Sequence, residues 1–140
     1  MEQQTILKRW LLTALFAVLC VMAYSQTHNE AYRTLTITVE ELKKMLPLES
    51  DRHSTWIDVG VEGAYYVETW KIHDYNVFRY IKKKSKKMKK SLLDNFQERD
   101  ILIANLLLSC DMEWKVVYKY GLNEAPVILT QEDMRKAVQQ

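Results

Sequence analysis

The sequence predicts an α+β domain with a mainly antiparallel sheet and helices packed on one face, a two-layer sandwich. Three observations predict it. Residues 56–61 and 64–72 are strand-like runs split by Glu62-Gly63, and residues 114–120 and 126–129 form a second such pair, so two β-hairpins are expected. Roughly 35 residues of helical periodicity lie between them. With only 3 Gly and 2 Pro, no long linker divides the chain.

The elements begin with an export signal. Lys8 and Arg9 form a short positive region, residues 10–22 (WLLTALFAVLCVM) an apolar run, and Ala23-Tyr24-Ser25 puts small residues at −3 and −1 before Gln26. That is the layout of a secretory signal peptide, and the run is short for a bilayer-spanning helix of ~20 residues. Residues 1–25 are therefore read as a cleaved signal, residues 26–33 as a flexible N-terminus, and residues 34–140 as one domain. No transmembrane span is expected after cleavage. The signal resembles those of Gram-negative envelope proteins, which implies a periplasmic or secreted protein. Ala17-Val18-Leu19-Cys20 departs from a bacterial lipobox, where a small residue stands in place of Leu19, so anchoring through Cys20 is not expected. Cys110 then remains without an intrachain partner and reads as a small buried hydrophobe at a helix end.

Residues 34–39 (TLTITV) alternate strictly, with Leu35, Ile37 and Val39 opposite three threonines, and predict a half-buried strand. Thr38 stands three residues before Glu41, a capping-box spacing, and opens a short helix that Pro47 ends. Residues 48–54 are a polar loop. In the second strand of the first hairpin, Tyr66, Glu68, Trp70 and Ile72 form one face and Tyr65, Val67, Thr69 and Lys71 the other. Both carry aromatics, so the pattern leaves the buried face open. A helix is predicted over residues 76–96, with Val77, Ile81, Met88, Leu92 and Phe96 on one side and Ser85 filling a gap. A second helix, over residues 99–109, is apolar nearly all round and should be central. Thr130 and Asp133 give a final capped helix.

From Leu46 onward this order resembles that of small exported bacterial domains of uncharacterised function. The matching pieces are Leu46-Pro47, Tyr65-Tyr66, Leu92-Leu93, residues 116–120, and Thr130 to Asp133. The resemblance implies the fold and brings no activity with it.

Recognisable chemistry is sparse. Gly60, Gly63 and Gly121 stand alone, which excludes a phosphate-cradling loop and a nucleophile elbow. His28, His53 and His73 form no ligand pair, and one mature cysteine excludes a cysteine-based zinc site. His53 beside Asp51 and His73 beside Asp74 read as solvated loop residues. The spacing of Asp58 and Glu62 does not establish a glycosidase pair. No enzyme activity, cofactor or metal is expected.

Two surfaces remain. Arg79, Lys82, Lys83, Lys84, Lys86, Lys87, Lys89 and Lys90 place eight positive charges within ~18 Å of helix at 1.5 Å per residue. Like charges at i,i+3 and i,i+4 repel by a few tenths of a kcal/mol per pair, which a nearby anionic surface would offset. Anionic lipid, lipopolysaccharide or an acidic protein are the partners expected. Nucleic acid is disfavoured by export and by the lack of interleaved aromatics. The bland reading is a solvated helix face. The second surface is a sheet face of Tyr65, Val67, Thr69, Lys71, Lys115, Val117 and Lys119, which suits a protein-interaction or inhibitor-like module, as does an edge strand.

Overall fold

The computed structural model describes residues 7–15 and 28–139. Its elements run α1 (His28–Met45), β1 (Leu48–Glu49), β2 (Ser54–Glu62), β3 (Tyr65–Ile72), α2 (Tyr75–Lys83), α3 (Ser85–Asp94), α4 (Glu98–Ser109), β4 (Glu113–Tyr120), β5 (Asn123–Leu129) and α5 (Gln131–Val138). Residues 7–15 are also helical. The five strands lie in chain order, and every neighbouring pair is antiparallel except β3 with β4. This is the α+β, mainly antiparallel architecture expected.

Both hairpins close through two-residue turns. Glu62 pairs with Tyr65 across Gly63-Ala64, and Tyr120 with Asn123 across Gly121-Leu122. The glycine opening each turn has positive φ, +59° at Gly63 and +57° at Gly121, which an L side chain strains to adopt. Because β3 and β4 are parallel, a crossover must return the chain to the same end of the sheet. The helices α2, α3 and α4 are that crossover.

The register puts Tyr66, Trp114 and Leu129 on one line across the sheet, and Glu68, Val116 and Val127 on the next. These residues share the face that the helices cover. Trp56, Val59, Tyr66, Ile72, Trp114, Val116 and Tyr118 join Leu35, Leu42, Ile103, Leu107 and Met134 in one buried cluster. The central α4 buries Ile103, Ala104, Leu106 and Leu107 between its neighbours α1 and α5. Cys110 caps its end, buried and free.

The first element departs from expectation. Residues 34–39 are not a strand but the middle of α1, and helix begins at His28, inside the segment read as flexible. Ala31, Leu35, Val39 and Leu42 recur at three- and four-residue spacing and are buried, whereas Ile37 is 50% exposed. The threonines are accommodated because their hydroxyls donate one turn back: Thr38 to the Thr34 carbonyl at 2.7 Å and Thr36 to the Tyr32 carbonyl at 2.9 Å. Burial of the helical stripe overrides β propensity. Thr38 is accordingly not a cap. Helix α1 stops at Met45, before Pro47, as read.

The long basic helix is also two helices. Lys84 leaves helical geometry at φ −117°, ψ 44°. The break falls beside Ser85, where the apolar stripe has its gap, so no packing holds the helix straight there. Within the predicted polar loop, Leu48–Glu49 add a short edge strand on β2.

Candidate functional site

The basic face is built by this break. Asp74 caps α2 by accepting from the Asn76 and Val77 amides, and α2 anchors through buried Phe78 and Ile81. Lys82 and Lys83 fall in its last turn, where cations suit the helix dipole. Lys84 is the joint, and Lys86, Lys87, Lys89 and Lys90 follow in α3. Lys86 and Lys87 lie in the first turn of α3, the end at which positive charge is disfavoured. Two of the eight charges are internally matched: Lys89 Nζ is 2.6 Å from Asp133 and Lys90 Nζ is 2.6 Å from Asp94. Arg79, Lys82, Lys83, Lys84, Lys86 and Lys87 are exposed. Among the described residues, none of these six has a carboxylate within ion-pair distance.

The structure also brings Tyr65, Val67, Thr69, Lys71, Lys115, Val117 and Lys119 onto one sheet face, opposite the helices. Much of that face is self-covered. Val67 and Val117 are buried outside the main cluster. Lys115 Nζ sits 5.8 Å from the Tyr65 ring centroid, and Lys119 pairs with Glu124 at 3.2 Å. At one sheet edge β5 carries Pro126, which has no N–H; at the other, β1 covers only Thr55 and Trp56 of β2.

Beneath α2 and α3 lies a cavity of about 480 Å³. Its walls are the inner sheet face, with Trp70, Trp114 and Tyr118, and the apolar sides of the helices, with Ile81, Met88 and Leu92. Helix α3 has no fully buried residue; Met88 and Leu92 rest half-buried over this space. Glu68, in the middle of central strand β3, lines the cavity and is only 7% exposed. Its carboxylate accepts from the Tyr66 hydroxyl at 2.9 Å and from the Trp70 indole N–H at 3.2 Å. Burial pushes the Glu68 carboxyl up to about 7, opposed by the Tyr66 hydrogen bond and the Arg99 charge. No cation lies within ion-pair distance of it among the described residues. Arg99 instead stands over the Trp56 ring at 5.8 Å and 3.6 Å from Asp100. Trp114 is buried, and its indole N–H has no hydrogen-bond partner among the described residues.

Sequence reasoning wrote Glu68 into an alternation of aromatics without singling it out. The available signal was a lone carboxylate two residues from both Tyr66 and Trp70, on the same face as each. The other carboxylates considered have local duties. Asp51 accepts from the His53 and Ser54 amides, and the His53 amide hydrogen bond leads in holding it below the usual range. His73 Nε2 meets the Thr55 hydroxyl at 2.7 Å. Asp58 and Glu62 are four residues apart on β2, about 13 Å between Cα atoms at 3.3 Å per residue, wide for a glycosidase pair. Among the described residues, no cluster of three or more His, Cys, Asp or Glu is placed to hold a metal ion.

Of the segment read as an export signal, the described part is the helix over residues 7–15. There Leu12 and Leu15 lean on the core, and Lys8 Nζ donates to the Pro47 carbonyl at 3.4 Å. Cys20 and the cleavage point expected between Ser25 and Gln26 lie outside the described residues. No helix among the described residues is long and apolar enough to cross a membrane.

No family model matches the chain, and no curated protein matches it. Among solved structures, a Pseudomonas aeruginosa protein provisionally described as secreted superposes with a TM-score of 0.59. The likeness covers 79% of this chain and 98% of that one at 13% identity. At that identity it shows the fold alone, and that fold is the one the pattern resemblance implied.

Proposed function

We propose that this protein is an exported, non-enzymatic domain that docks on an anionic lipid surface through the basic face of α2 and α3. The supporting observation is the division of the lysines. Lys89 and Lys90 are neutralised from within the fold, and Arg79, Lys82, Lys83, Lys84, Lys86 and Lys87 are left exposed, with no ion-pair partner among the described residues. Six such groups at about 1 kcal/mol each supply on the order of 5 kcal/mol near an anionic leaflet at low salt. Lysine ammonium groups act as point charges, so the contact reads charge density and not a defined headgroup geometry. The signal-like residues 1–25 support delivery to an envelope where such surfaces occur.

The alternative, an interaction module working through the outer sheet face or an edge strand, has less support. Its valines are covered, and two of its three lysines, Lys115 and Lys119, are engaged.

The test is co-sedimentation with vesicles of phosphatidylglycerol and phosphatidylcholine against phosphatidylcholine alone, at low and near-physiological salt. Binding to the anionic vesicles only, lost when Lys82, Lys83, Lys86 and Lys87 become Gln, is the expected result. Equal binding to both vesicle types, or binding unaffected by the four substitutions, refutes it.

A further inference from the structure

The cavity under α2 and α3 is separate from the exposed lysines and has its own chemistry. Its volume falls within the range of small-molecule sites, roughly 300–1,000 Å³, and its lining combines apolar and aromatic side chains with polar ones, among them Asp51, His53, Glu68, Arg99 and Asp100. The polar groups are specific. Glu68 presents a carboxylate whose two described hydrogen bonds come from neutral donors, Tyr66 and Trp70. The guanidinium of Arg99 lines the same cavity and its charge is felt by Glu68, but it stands over Trp56 and 3.6 Å from Asp100, outside ion-pair distance of Glu68. The Trp114 side chain also lines the cavity, with its indole N–H buried and without an acceptor among the described residues. A buried ionised carboxylate is costly unless a cation matches it. Trp70, Trp114, Tyr118 and Phe96 line the same space, and aromatic rings suit a cation as well.

We propose that this cavity is a binding site for a small organic ammonium compound with an apolar, ring-sized body. Its ammonium group ion-pairs with Glu68 among the aromatic rings, and its body fills the space under Met88 and Leu92. An organic carboxylate is rejected by repulsion from Glu68. A neutral isostere keeps the apolar contact and loses the ion pair.

Three probes of one shape decide the matter: phenethylammonium, 2-phenylethanol and phenylacetate, each titrated calorimetrically into the purified full chain at pH 8. Saturable binding of phenethylammonium, at least tenfold tighter than 2-phenylethanol and with no phenylacetate binding, is expected. Glu68→Gln should lower the phenethylammonium affinity at least tenfold and leave the 2-phenylethanol affinity within about threefold. Leu92→Trp, which fills the cavity from α3 and leaves Glu68 in place, should abolish binding of both. Near-UV circular dichroism reports whether each variant is folded. The ratio between the three probes on the unsubstituted protein stands even if Glu68→Gln does not fold. No saturable binding of phenethylammonium, equal affinity for the alcohol, preference for phenylacetate, or binding that survives Leu92→Trp overturns the proposal.

Discussion

Lys89 of α3 and Asp133 of α5 meet at 2.6 Å, so a carboxylate that caps one helix also holds another. Asp133 additionally accepts from the Thr130 amide and hydroxyl, both at 2.9 Å, and its own amide donates to the Thr130 hydroxyl at 3.2 Å. Burial pushes the Asp133 carboxyl up, but the hydrogen bonds from Lys89 and Thr130 outweigh it and hold the group below its usual value. The capping box legible in the sequence therefore has a tertiary use. It docks the basic α3 against the C-terminal helix.

Replacing Asp133 by Asn should accordingly destabilise the fold by about 1–2 kcal/mol, the size of a lost cap with a half-buried charge partner. Urea denaturation at pH 7 checks this. Because the folded carboxyl has the lower pKa, its contribution is present above the unfolded value near 3.8 and is lost as pH falls through the folded value. The difference between the two proteins should therefore shrink at strongly acid pH.

Glu68 should act in the opposite sense. Its folded pKa stands above the ordinary 4.5, at about 7, so between these values the folded state holds a proton that the unfolded state has released. Stability should then fall as pH rises from about 4.5 to 7 and level off above, by about 3 kcal/mol in all. Tyr66, Arg99 and Asp100 act on the carboxyl most directly, and Tyr118, His53 and Asp51 also line its cavity. Glu68→Gln removes this slope. Thermal unfolding of both proteins across pH 5–8 measures it, and parallel curves would refute the assignment.

The lysines should divide by their partners. Lys89→Gln removes a charge already matched by Asp133 and should leave vesicle binding within about twofold while lowering stability. Lys87→Gln removes a free charge and should weaken vesicle binding about fivefold, for ~1 kcal/mol, with stability unchanged. Co-sedimentation and urea melts on the same preparations separate the two effects.

Residues 34–39 offer a direct contrast between strand and helix. Leu35→Ala should cost about 2–5 kcal/mol, because its side chain is fully buried. Ile37→Ala, on the exposed side of α1, should stay within about 0.5 kcal/mol of the parent. A half-buried strand would bury both residues on one face, and the two substitutions would then cost alike.

Where local pattern and final environment agree, the sequence was legible. Glycine-opened turns between alternating runs determined both hairpins, Thr130 and Asp133 determined the last helix, and the all-round apolar character of α4 determined its central place. The segregation of lysines into residues 82–90 was also written locally, as was the gap at Ser85 where the helix breaks.

What the tertiary structure alone decided concerns faces and partners. Periodicity reports that a segment has two sides, not which side is covered, so the alternation of Tyr66, Glu68, Trp70 and Ile72 could not say that Glu68 is buried. The charge environment of Glu68 depends on Arg99 and Asp100, about thirty residues away in the chain, and the neutralisation of Lys89 on Asp133, more than forty away. In α1 the same six residues satisfy an alternating pattern and a helical one. Burial of Ala31, Leu35, Val39 and Leu42 along one helix face, with threonine hydroxyls bonded one turn back, selected the helix. Packing across the fold, summed over a whole face, outweighs propensities worth a few tenths of a kcal/mol per residue.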